Sequence, residues 1–142
     1  MLPLAHIGIP LFFAKHFKPF SFPLLPTAFF AILPDIVDKS LFLFGLAPSG
    51  RFIAHTVFFG LALAVIFFVT LPKHLRTPIA ASTLLGCWSH LALDVNGPLP
   101  LFFPLASYEF VPCKLELTFN AATTMFELIG FSCLLLVALE SD

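Results

Sequence analysis

Charged residues are the scarcest class in this chain, at 11% of 142 residues, against about 25% in an average soluble domain. That shortage excludes a surface solvated on all sides, and the mean hydropathy of +1.02 agrees. A formal charge of −1 leaves no basic patch, so a nucleic-acid partner is not expected. The three cysteines, Cys87, Cys113 and Cys133, show no CxxC or paired spacing, which argues against a disulfide framework and a thiolate zinc site. The opening "MLPLAHIGIPLFF" has neither the basic start nor the small-residue cleavage site of a signal peptide, so it is expected to stay as a structural helix. No internal repeat or low-complexity tract is evident.

Apolar side chains are abundant: 59% of residues are hydrophobic and 20 are Phe. The expected fold is all-α, a polytopic membrane protein of about five transmembrane or half-membrane helices, with residues 1–142 forming one integral membrane domain. A span needs about 20 apolar residues, and Phe52–Leu71, Pro78–Val95 and Phe119–Leu139 meet that need. Leu2–Phe13 is shorter, and Phe20–Leu33 holds Pro23 and Pro26. Two short or tilted helices are expected there, the second ending near Asp35 and followed by a half-helix or interfacial segment. Residues 97–116, rich in Pro and aromatics, read as an interfacial loop.

Alternating spans put Lys15, Lys18, Lys73 and Arg76 on one side, against Lys39, Arg51 and Lys114 on the other. The positive-inside rule makes the first side cytoplasmic, by a narrow margin. The same alternation gathers His6, Asp35, Asp38, His55, His90 and Asp94 on one membrane face at similar shallow depth, while His16 and His74 fall opposite.

Ionisable groups within apolar segments are costly and point to function. His90 and Asp94 stand at i,i+4 on one helical face, as do Arg51 and His55, and Asp35 and Asp38 stand at i,i+3. Imidazole and carboxylate together suit a divalent metal, with Zn or Mn foremost. Three His and three Asp are enough to hold two ions, and a two-metal site is a standard arrangement for hydrolysing phosphoesters. Arg51 and Lys39, as cations, would instead meet an anionic group such as phosphate. Each residue also has a plainer reading: Asp35 as a turn cap, Arg51 as a snorkelling anchor, Asp94 as an Asx turn before Asn96-Gly97. Glu127, about ten residues into the last span, reads as a protonated, hydrogen-bonded core residue or a partner to a ligand.

Three motifs, "LPDIVDK" (33–39), "GRFIAHT" (50–56) and "SHLALDVNGPLPLFFP" (89–104), together resemble the LexA-regulated type of membrane-bound, metal-dependent hydrolases, small inner-membrane proteins. The resemblance covers roughly residues 1–105 and implies a metal held by His6, Asp35, Asp38, His55, His90 and Asp94. Two departures stand out: Asp38 lies three residues after Asp35, where many members have Pro-Asp-x-Asp, and Gly50 stands where many have His before Arg, a missing ligand that leaves one metal as the alternative to two. The expected function is a metal-dependent hydrolase in the inner membrane, acting on a phospholipid or other lipid-linked phosphoester. The alternatives are a small metal or proton transporter and a non-enzymatic scaffold tied together by its polar helix ends.

Overall fold

The computed structural model describes residues 3–17, 22–110 and 121–140, and these form five α-helices and no strand. Helix α1 spans Pro3–His16, α2 Leu24–Leu43, α3 Val57–Thr70, α4 Lys73–Leu93 and α5 Ala121–Leu139. Lys18, Cys113 and Lys114, the start of the predicted Phe119 span and the end of the predicted 97–116 loop lie outside the described residues. Residues 97–110 are turns and irregular chain, as expected for that loop.

Three helix boundaries differ most from the sequence reading, each for a local reason. Helix α2 does not end near Asp35 but continues through Pro34 to Leu43. Proline cannot donate to the carbonyl four residues back, and the carbonyl of Phe30 instead accepts the Cys87 thiol at 3.6 Å. A neighbouring helix therefore compensates part of the break. Helix α3 begins at Val57, not Phe52, because the backbone N–H groups of Phe52, Ala54 and His55 are drawn onto the Asp38 carboxylate. Thr56 then caps the helix, its hydroxyl accepting the Phe59 N–H at 3.2 Å. Helix α4 starts at Lys73, a full turn before Pro78, with the N–H groups of Leu75 and Arg76 donating to the Pro72 carbonyl. Pro78 is tolerated just inside the helix.

Neighbouring contacts give the helix directions. Helices α1 and α5 run parallel, since Leu4 and Ala5 meet Glu127 while Lys15 donates to the carbonyl of Val137 at 2.8 Å. Gly8 and Gly130 let these two backbones touch: a Cβ on Gly130 would collide with the main chain of Ala5, and one on Gly8 with the Gly130 carbonyl. Helices α3 and α4 run antiparallel, with Trp88 Nε1 donating to the carbonyl of Val57 and Arg76 lying 5.0 Å from the Phe68 ring centroid. Helix α2 lies alongside α4, with Gly86 against Phe30 and His90 against Ala31.

The distribution of side chains is inverted relative to a water-soluble domain. The largest fully buried side chains include His55, His90, Thr27, Thr56, Thr83 and Asp38, whereas Leu25, Phe44, Val69 and Leu105 are at least 72% exposed. Among the described residues one helix, α5, is long and apolar enough by itself to cross a membrane, and α3 is apolar but has only 14 residues. The multi-pass arrangement expected from hydropathy is thus shown for one helix only. Helix α1 is short, α2 carries Asp35, Asp38 and Lys39 in its second half, and α4 carries ionisable residues at both ends.

Candidate metal centre

Five of the six residues predicted as metal ligands meet side by side at one end of the bundle, and the sixth stands directly behind them. His6 comes from the first turns of α1, Asp35 and Asp38 from the second half of α2, and His55 from the α2–α3 connection. His90 comes from the last turn of α4, and Asp94 caps that helix. His16, by contrast, is at the far end of α1, where it pairs with Glu140 at 3.0 Å.

The tightest part of the cluster is a triangle. His55 Nε2 lies 3.3 Å from His90 Nε2 and 3.3 Å from Asp35 Oδ1, and His90 Nε2 lies 3.5 Å from the same oxygen. The remaining ring nitrogens settle which atoms carry lone pairs. His90 Nδ1 is 2.7 Å from the carbonyl oxygen of Ala31, which can only accept, so Nδ1 bears the proton. His55 Nδ1 is 2.7 Å from Asp38 Oδ2 and donates to it in the same way. In the neutral rings both Nε2 atoms are therefore acceptors, facing each other and a carboxylate oxygen. Asp35 Oδ1 is buried and makes no bond of hydrogen-bond geometry among the described residues.

Three facing acceptors repel unless something positive lies among them. A proton on one ring is one solution and a metal ion is the other. The donor set and its spacing fit a metal: zinc–nitrogen and zinc–carboxylate bonds of about 2.0–2.2 Å in a tetrahedron separate ligand atoms by about 3.3–3.5 Å. The triangle has these edges. Both imidazoles also donate their other N–H to a carboxylate or a carbonyl, as the ligands of a metal site generally do.

Asp38 is placed differently from the other carboxylates. It is fully buried and accepts four hydrogen bonds, from the backbone of Phe52, Ala54 and His55 and from the His55 ring. Its oxygens are committed to the loop and to the orientation of His55. The spacing at i,i+3 from Asp35 could not distinguish a ligand from a partner behind one.

Asp94 lies on the other flank. Its Oδ1 is 3.3 Å from His6 Nε2, and its Oδ2 is 2.8 Å from Arg51 Nη2. Oδ2 also stands 3.9 Å from His55 Nε2 and 4.0 Å from His90 Nε2. Burial would raise the Asp94 pKa, but the His6 bond and the Arg51 charge outweigh it and hold the carboxyl down at about 2. At His55, in the connection before α3, burial works against the proton, yet the bonds to Asp35 and Asp38 prevail and raise its pKa. Lys39 pairs with Asp35 Oδ2 at 2.9 Å, one turn along α2. Both predicted cations, Arg51 and Lys39, thus sit against carboxylates of the cluster.

Two participants were missed in the sequence. The Ala31 carbonyl carries no side-chain signature and is visible only once α2 packs on α4. Gly97 was read only as part of a turn, yet a Cβ there would strike the Arg51 guanidinium. Glu127 is hydrogen-bonded, as one of its two sequence readings expects, but it bonds backbone and not a side chain of the cluster. Its two oxygens accept the N–H groups of Leu4 and Ala5, at 3.3 and 3.1 Å, at the start of α1.

An all-α chain with apolar residues outside and a buried His–Asp centre inside is the class these features define. The chain belongs to the YdjM inner membrane protein family, whose family model matches residues 1–140. This is the LexA-regulated membrane protein family, and it places the chain in the inner membrane. No curated protein and no solved structure matches the chain.

Proposed function

We propose that the chain is a multi-pass, membrane-bound metal-dependent hydrolase acting on a phospholipid or another lipid-linked phosphoester at the membrane surface. The observation that carries this reading is the triangle of His55 Nε2, His90 Nε2 and Asp35 Oδ1 with edges of 3.3, 3.3 and 3.5 Å. These three atoms would hold a divalent ion, Zn or Mn. Asp94 is the next nearest carboxylate, and His6 stands behind it. Asp38 and the Ala31 carbonyl hold the two imidazoles in the ligating tautomer.

Metal bound there supplies Lewis-acid polarisation of a phosphoryl oxygen. Arg51 uses one N–H group on Asp94 and has others to orient an anion, since a guanidinium carries five. Lys39 balances Asp35 and, being partly exposed, can follow the substrate's negative charge. The site lies at a bundle end, which suits a substrate whose polar head leaves its tail among the exposed Leu and Phe side chains. The alternating helix directions and the apolar exterior support several passes, with the marginal helices screened by their neighbours.

A scaffold without enzymatic activity is the second reading, favoured by the four bonds that Asp38 accepts across two elements. Metal analysis of the protein purified in mild detergent separates the two. The hydrolase reading expects stoichiometric metal, lost in His55→Ala and His90→Ala, and chelator-sensitive release of phosphate or headgroup from phospholipid vesicles. Metal retained in both variants would sink it.

A further inference from the structure

Among the described residues two groups of three have metal-ligand geometry: Asp35, His55 and His90, and separately His6, His90 and Asp94. Two groups suggest two ions, but both need His90. That ring has only Nε2 to offer, because Nδ1 donates to the Ala31 carbonyl at 2.7 Å. One imidazole nitrogen binds one ion, so the groups are alternatives. The first has the shorter edges, whereas His90 Nε2 stands 4.0 Å from Asp94 Oδ2 in the second. With His90 taken, the second group keeps His6 and Asp94, two ligands only.

A cation already stands at one of those two ligands, Asp94. Arg51 Nη2 is 2.8 Å from Asp94 Oδ2, and the side chain is mostly buried. Gly97 gives the guanidinium its room, since a Cβ at that position would meet it. The charges balance accordingly. With the imidazoles neutral, as ligation requires, the carboxylates of Asp35, Asp38 and Asp94 face the cations of Lys39 and Arg51, leaving one net negative charge before any metal binds. One divalent ion turns that into one net positive charge, suited to an anionic phosphate. A second would leave three in a poorly solvated cluster, which is costly.

Resting on the metal reading above, the geometry points to a centre that binds a single divalent ion, with the Arg51 guanidinium in the place of a second ion and serving as the phosphate-binding half of the site. A guanidinium suits that role because it can pair with a carboxylate on one edge and a phosphate on another.

The test is a metal titration of the chelator-stripped full chain with Zn²⁺, followed by inorganic phosphate binding to the loaded protein. The expected plateau is one ion per chain, unchanged in Arg51→Ala and in His6→Ala. Phosphate affinity is expected to fall about tenfold or more in Arg51→Ala, the loss of a hydrogen bond to a charged group. Arg51→Lys, keeping the charge without the fork, should recover part of it. A plateau of two leaves the metal reading standing and overturns this inference. A plateau of zero overturns both. Phosphate affinity unchanged in Arg51→Ala removes the role given to Arg51, whatever the ion count.

Discussion

Asp38 and Glu127 are both carboxylates placed among apolar helices, and both accept backbone N–H groups of another element. Asp38 takes those of Phe52, Ala54 and His55; Glu127 takes those of Leu4 and Ala5. The difference lies in what else each one touches. Asp38 also receives the His55 ring N–H at 2.7 Å, and through that bond it sets the lone pair of Nε2. Among the described residues Glu127 bonds only the first turn of α1, satisfying donors that helix geometry leaves open. One structural device therefore serves two ends. Beside an imidazole it orients the ring, and beside a bare helix start it is a cap.

Substitutions can break or sharpen this comparison. The largest effect is expected from Asp38→Ala, which strands three backbone donors and the His55 ring. It should lower metal affinity by about 10–100-fold, the usual cost of losing a partner to a metal ligand. It should also destabilise the fold by about 3 kcal/mol or more, since each buried donor left unpaired costs roughly 1–3 kcal/mol. Metal titration and thermal melting in detergent would read both, and a fold loss without any change in metal affinity would make Asp38 a cap like Glu127.

Next comes Gly130→Val, whose side chain would run into the α1 backbone at Ala5. A cost of about 1–3 kcal/mol is expected from such overpacking, with zinc stoichiometry unchanged, because the triangle lies on α2, α4 and the α2–α3 connection. Loss of metal in this variant would show that α1 is needed to hold the ion.

Glu127→Leu should cost about 1–2 kcal/mol through the two stranded N–H groups, with metal affinity within about threefold of the parent. Thr56→Val, the smallest change, removes the cap of α3 for about 1 kcal/mol. Because Thr56 follows His55 directly, it should lower metal affinity measurably where the costlier Glu127→Leu does not. Equal effects on metal from the two would dissolve the distinction between the regions.

Much of the cluster was legible because ionisable residues in an apolar chain are few and costly. His90-x-x-x-Asp94 and the alternation of apolar segments were sufficient to gather these six residues at one end. The roles within the cluster were not legible. Asp35 and Asp38 share a residue type and a helix, and only the loop of residues 52–55 folding onto Asp38 separates them. The same fold moved the start of α3 from Phe52 to Val57. Pro34 read as a helix end because the compensating Cys87 thiol comes from 53 residues beyond it in the chain.

Composition and hydropathy by themselves determined an all-helical chain with an apolar exterior and its buried His–Asp set gathered at one end, since burying unpaired charge in such a medium is too costly to be scattered. The tertiary structure decided which polar atoms face one another. Lone-pair direction depends on the partner of the opposite ring nitrogen, and for His55 and His90 that partner is a carboxylate and a carbonyl on α2, a different element of the fold.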